Sequence, residues 1–321
     1  MTVTEPWARH ALASTAARVD YFLHETGVQI YMPYRMLTVR QRAQIWVGGP
    51  EIRQPELLFE SDTMLIEAPN WSLDGAFLFV NGRGRLWRLD VGSRERGLAR
   101  VDFEGLPELN NDHVLDPNGE HIYMSAIDGH IYRGHLDGGP VDRVSPDDGY
   151  WHFLHGVSPD GSRLAYVQIG ELADPGKLAL LDPPGPPVVV DTGEGHLDGP
   201  EWSPDGKWIY FNTESFTDDT GHAQLARIPD AGGPVERLVT SDTVDWFPHI
   251  SPDFQAAAYI AFPAGTRGHP ADLDVEVRVV PASNWSRPIQ RYPLFGGQGT
   301  INVNSWSPDS TRFAFVAYPI G

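Results

Sequence analysis

Four residues carry the strongest hint of chemistry in this sequence: His113, His155, Glu201 and His249. Each stands two or three places before a short recurring turn, so each takes a comparable place in a repeat. Imidazoles and a carboxylate suit a divalent cation such as Mn, Zn, Ca, Fe or Ni. Such an ion would bind a substrate carboxylate or hydroxyls and acidify a neighbouring C–H or water. His152 is the candidate general base beside it. Asn70, Asn111, Asp198 and Asn302 come from the same upstream stretches and are expected to bind a small polar ligand. Trp246 offers a face on which a sugar ring could stack, against its ordinary use as packing. His269 and Gln298 lie in the longest repeat, on segments expected to reach the same mouth. The competing reading is a wet channel whose polar residues only satisfy backbone groups.

What brings these residues together is the repeat itself. It reads Trp71-Ser-Leu-Asp-Gly75, Leu115-Asp-Pro-Asn-Gly119, Val157-Ser-Pro-Asp-Gly161, Trp202-Ser-Pro-Asp-Gly206, Ile250-Ser-Pro-Asp-Phe254 and Trp306-Ser-Pro-Asp-Ser310. Anchored on the serine or its equivalent, the copies fall at 72, 116, 158, 203, 251 and 307, with spacings of 44, 42, 45, 48 and 56. Proline presets the first turn torsion, Asp bonds back to the turn backbone, and Gly takes the positive φ. Strand-like runs follow each turn, for example Phe77-Leu-Phe-Val80 and Trp208-Ile-Tyr-Phe211. A period in the mid-forties with four strands per period is the mark of a β-propeller. The sequence thus predicts an all-β, six-bladed propeller of four-stranded antiparallel blades.

After the sixth turn only one strand remains before residue 321, so that blade lacks partners. Ala43–Val47 and Glu56–Glu60 read as the missing third and fourth strands, which closes the ring through both ends of the chain. Residues 41–321 are then one propeller, and residues 1–40 an extension in which Ala8 to Val19 could form a short helix. One geometric difficulty remains. His113 and His155 lie three places before their anchors, Glu201 and His249 two places, and strand alternation sends these pairs to opposite faces unless a bulge intervenes.

With 24 basic and 43 acidic residues, the net charge of −19 argues against nucleic-acid or anionic-membrane partners. The chain has no cysteine, which excludes disulfides, thiolate metal sites and cysteine nucleophiles. The first ten residues lack the charged and apolar regions of a secretory signal, so a cytoplasmic location is expected, or a periplasmic one had a leader been removed. No Gly-x-Ser-x-Gly elbow occurs, and Gly296-Gly-Gln-Gly lacks the ending of a phosphate loop.

The repeats resemble the TolB-like, WD40-like propeller proteins of bacteria over roughly residues 43 to 318. Further strings resemble a soluble subgroup: Glu67-Ala-Pro-Asn-Trp-Ser72, Asn110-Asn-Asp-His113, Tyr150-Trp-His152, Asp198-Gly-Pro-Glu201, Trp246-Phe-Pro-His249, Gly268-His-Pro-Ala271 and Gly296 to Val303. In the third repeat His152 is displaced upstream and His155 takes the near position, so either could inherit the family's histidine. The resemblance implies the fold; propellers host lyases, hydrolases, sugar binders and scaffolds alike. By analogy with oligogalacturonate lyase, a propeller enzyme with a histidine-based metal site in its channel, the expectation is a metal-dependent lyase, isomerase or hydrolase acting on a carbohydrate-like ligand. The alternative is a non-catalytic scaffold that binds a protein or peptide partner.

Overall fold

The recurring turn works through its serine. In five repeats the hydroxyl donates to the turn aspartate, from Ser72 to Asp74, Ser158 to Asp160, Ser203 to Asp205, Ser251 to Asp253 and Ser307 to Asp309, at 2.6–2.7 Å. The same oxygen accepts the N–H that opens the next strand, as from Trp208 to Ser203 at 3.0 Å. The hydroxyl of Ser158 is the main reason Asp160 is pulled down to about 2. In the second repeat Asp116 stands in for serine and pairs with Arg133 at 2.8 Å. Phe254 and Ser310 take the turn glycine's place at φ of 60° and 62°, a region that strains a side chain. Ser203 is fully buried. Ser203→Ala should therefore lower the unfolding free energy by about 1–2 kcal/mol, read from the urea midpoint at unchanged slope.

The computed structural model describes residues 19–22, 29–32, 34–93 and 97–321. Each turn joins the inner strand of a blade to its second strand. Blade one comprises Glu67–Trp71, Phe77–Gly82, Arg85–Asp90 and Leu98–Arg100. Blade two runs Leu109–Leu115, His121–Ala126, Ile131–His135 and Gly139–Arg143, with Phe103–Glu104 added in parallel at its outer edge. Blades three, four and five begin with Trp151–Val157, Leu197–Trp202 and Val244–Ile250, and each has four antiparallel strands. Blade six is closed as expected: Phe313–Ala317 pairs with Ala43–Gly49, which pairs with Ile52–Ser61. Its inner strand departs from the four-strand pattern, being reduced to a single bridge between Trp306 and Phe313.

The core is a set of seams between neighbouring blades. Phe79 and Leu86 of blade one pack with Leu109 and Ile122 of blade two, and Phe153 and Val167 of blade three with Trp202 and Ile209 of blade four. Phe313 and Phe315 of blade six pack on Trp246 and Val277 of blade five. There is no helix among the described residues, and none long and apolar enough to cross a membrane. The short helix expected from Ala8 lies outside the described residues except at Val19, which pairs with Met32 in a two-stranded ladder.

Candidate ligand site in the central channel

The difficulty of strand alternation is resolved by bulges. The inner strands of blades one to five each carry one, at Glu67/Asn70, Leu109/His113, Leu154/Gly156, Asp198/Glu201 and Trp246/His249. In three of them the residue four places before the anchor has left-handed torsions: Ala68 at 52°, Gly199 at 62° and Phe247 at 55°. A proline follows each, Pro69, Pro200 and Pro248, where a missing N–H is tolerated because the ladder is already broken. Across the bulge the pleat changes phase. Of the residues five places before the anchor, Asn111, Phe153, Asp198 and Asn302 then collect at one end of the channel, where they line a common cavity.

Asp198 is the hub of that cavity. Its carboxylate accepts the Gly199 N–H at 2.8 Å and lies 3.0 Å from His155 Nε2, 3.4 Å from His269 Nε2 and 3.8 Å from His196 Nε2. Burial alone would raise its pKa, but the charge and hydrogen bond of His155 hold it well below the carboxylate range. His155 also donates from Nδ1 to the Asn302 carbonyl at 3.2 Å, and its Nε2 lies 3.9 Å from Asp112. Burial works against its charge, yet Asp112 and Asp198 raise its pKa to about 9, so it is an imidazolium at neutral pH. Asp112 goes the other way. Its burial outweighs His155 and pushes its pKa up. One carboxylate held ionised and one drawn toward its acid form thus flank a single imidazolium.

The cavity beside them has a volume of about 20 Å³, room for one water-sized group. Asn111 Nδ2, from a residue lining it, has no hydrogen-bond partner. Beyond Asp112 lies a second buried carboxylate, Glu67, whose pKa burial raises to about 7 against the pull of Arg35 at 3.6 Å. Arg35 binds Asp272 at 2.9 Å and the Gln298 carbonyl at 2.8 Å, and its guanidinium lies over the Tyr318 ring. A residue of the 1–40 segment is therefore built into the channel end.

Several expected site residues belong here: Asn111, Asp198, His269, Gln298 and Asn302 line the cavity, with His155 among them. His269 Nδ1 bonds Gln298 Oε1, and Asn302 Oδ1 accepts the Gly299 N–H at 2.8 Å. The four residues expected to hold a metal do not meet at one point. Glu201 and His249 bind each other at 2.7 Å, and both are then used up. His249 Nε2 donates to the Ile301 carbonyl, while Glu201 Oε1 accepts from Ile250 N and Asn304 Nδ2. They brace blades four, five and six. His113 is buried, and burial lowers its pKa to about 4. Among the described residues no group of three or more His, Asp or Glu side chains is arranged to hold a metal ion.

His152, expected as the base, lies outside the cavity. It bonds the Gly129 carbonyl at 2.8 Å, faces Asp148 at 3.2 Å and stacks on His130. Its place as the channel-facing histidine belongs to His155, the bulged residue of blade three. Asn70 bonds the Asn304 carbonyl and does not line the cavity. Trp246 is fully buried in the seam of blades five and six, as packing demands. Asp112, Glu67, Arg35 and His196 were not singled out as site residues. Glu67 could have been, since it holds the same place before its anchor as Asp198 does.

Searched against known proteins, the chain matches no family model. It is 37% identical over 282 residues to an uncharacterized protein of Agrobacterium fabrum, covering 86% of this chain and 92% of the relative. It also superposes on the structure described as "putative TolB" from Agrobacterium tumefaciens with a TM-score of 0.79 and 33% identity, over 87% of this chain and 99% of that one. The chain belongs to the TolB-like propeller family. At lower identity the TolB-like fold is shared with TolB from Acinetobacter baumannii, at a TM-score of 0.58 and 18% identity, over 80% of this chain and 64% of that one. It is also shared with an oligogalacturonate lyase in complex with manganese, at 0.50 and 13%, over 93% of this chain and 78% of that one. These two likenesses bear on the fold alone.

Proposed function

We propose that this TolB-like propeller binds a small hydroxyl-rich, carbohydrate-like ligand and draws one of its hydroxyl groups into the cavity beside Asp198. The observation that carries this reading is the cavity's chemistry. A hydroxyl donates one hydrogen bond and accepts others, and the cavity sets an unpartnered Asn111 Nδ2 donor beside the carboxylate oxygens of Asp112 and Asp198. The about 20 Å³ available suits one such group and not a whole ring. The ionised Asp198 and the His155 imidazolium, with Asp112 drawn toward its acid form by burial, also supply an acid and a base at one point. A lyase, isomerase or hydrolase would use such a set on a bound sugar. The oligogalacturonate lyase neighbour is named with manganese. Among the described residues His113, His155, Glu201 and His249 do not converge on one point, and the proposed binding uses hydrogen bonds alone.

The test is calorimetry with neutral oligosaccharides, using cellotetraose as the first probe. Binding should be saturable and should weaken at least tenfold in Asn111→Ala, a change that leaves the Asp198–His155 pair intact. No saturable binding to cellotetraose or to a panel of neutral mono- and disaccharides, together with co-purification of a protein partner, would favour the scaffold reading instead.

A further inference from the structure

A groove of about 860 Å³ opens near this cavity, between the loops of blades three, four and five. Its volume is that of a site for a ligand of several rings or equivalent size. Four carboxylates line it, Asp174, Glu194, Glu214 and Asp218, against one guanidinium, Arg267. The salt bridges of the described residues include none of these five groups. An acidic lining alone would be only a solvated rim, but a second feature points to a ligand. Trp246 lines the groove, is fully buried, and its indole N–H has no partner.

His196 links groove and cavity. Its Nδ1 accepts the Gly176 N–H at 2.8 Å, which leaves the proton on Nε2. That Nε2 lies 3.8 Å from Asp198 and has no hydrogen-bond partner, while the ring lines the groove and packs on Trp246. Trp246 in turn lies 4.5 Å from the His269 ring. The three rings run side by side from the acidic groove to the buried Asp198.

We infer that the groove is the main binding surface and that its ligand carries positive charge: an amine-bearing oligosaccharide, whose ammonium groups pair with Glu194, Glu214 and Asp218. The inference rests on the reading above and names the class of its ligand. Uncompensated carboxylates attract a cation and repel a uronate. The serine and threonine hydroxyls beside them, Ser215, Thr217 and Thr220, suit ring hydroxyls. The indole N–H of Trp246, buried in the groove's lining, is a donor left without an acceptor.

The experiment compares three tetrasaccharides by calorimetry: fully deacetylated tetraglucosamine, cellotetraose, which has the same linkage with hydroxyls in place of amines, and tetragalacturonate. For the full chain at low salt, tetraglucosamine should bind at least tenfold more tightly than cellotetraose, with tetragalacturonate weakest. Raising the salt should erode that preference. The double variant Glu194→Gln/Glu214→Gln should lose the preference for tetraglucosamine over cellotetraose. Asn111→Ala should weaken both ligands and keep their ratio. Glu194 is exposed and Glu214 half-buried, and melting temperature confirms that the double variant is folded. Equal affinity for tetraglucosamine and cellotetraose overturns the inference and leaves the hydroxyl-binding reading standing. So does a preference that survives the double variant. A preference lost in the double variant with both affinities untouched by Asn111→Ala supports the groove and removes the cavity reading.

Discussion

Asp198→Ala should lower the melting temperature by about 10 °C, the largest loss expected from any single substitution at the site. The carboxylate is buried and in contact with three imidazoles and a backbone N–H. Removing one partner of a buried ion pair typically costs about 3–5 kcal/mol, because the other charge stays behind unpaired. In a domain of this size each kcal/mol moves the transition by roughly 2–4 °C. Here the stranded charge is His155. Asp112, at 3.9 Å, is a poor replacement because its own burial favours the acid form. His155 must then give up its proton or remain an unpaired imidazolium in the ring's interior. Asp198→Asn keeps the shape and the Gly199 contact, so its loss should be about half as large. Asp218→Ala, on the exposed groove loop, is the control and should change the transition by no more than about 1 °C. A melting temperature for Asp198→Ala within 2 °C of the unaltered chain would mean that the cluster does not hold the channel end together.

The ring was legible because one turn dictates it. A serine that bonds its own turn aspartate and then the next strand's N–H produces the same hairpin wherever it occurs, and six copies at propeller spacing leave little choice of fold. Closure by Ala43–Gly49 and Ile52–Ser61 followed from counting unpaired strands. The site was legible only as a set of stretches, since side-chain direction depends on where each inner strand bulges. Pleat alternation alone makes His113 and His155 equivalents, yet one is sealed between blades and the other faces the channel. A local signal existed in the prolines three places before the anchor, Pro69, Pro200 and Pro248, which mark interrupted ladders. Arg35 and His196 had no such signal. Arg35 arrives from a segment with no repeat, and His196 gains its role from the Gly176 N–H and the Trp246 ring, contacts that exist only once blades three to five have assembled.

The same cluster should make stability fall as pH rises from 6.5 to 9. His155 has a pKa of about 9 in the fold and an ordinary value of 6.5. A raised basic group stabilises fully below its unfolded pKa, and that contribution is lost as pH climbs through the folded value. A shift of this size is worth about 3 kcal/mol across the window. Glu67 acts in the same direction at lower pH. Its pKa rises from 4.5 to about 7, so the native state holds a proton that the unfolded chain has already released, and stability drains away between those values. The depressed carboxylates work oppositely: Asp198 and the turn aspartates support the fold above about pH 4 and lose that support in acid. His113, drawn down from 6.5 to about 4 by burial, adds stability as pH rises between those values and offsets the Glu67 loss, so the maximum should lie near pH 6. Urea unfolding at half-unit steps from pH 4 to 9 measures the curve. In His155→Gln the fall between 6.5 and 9 should disappear, and in Glu67→Gln stability should rise between 4.5 and 6.5 because the His113 contribution is left unopposed. A flat wild-type profile from 6.5 to 9 would show that His155 is not charged in the fold.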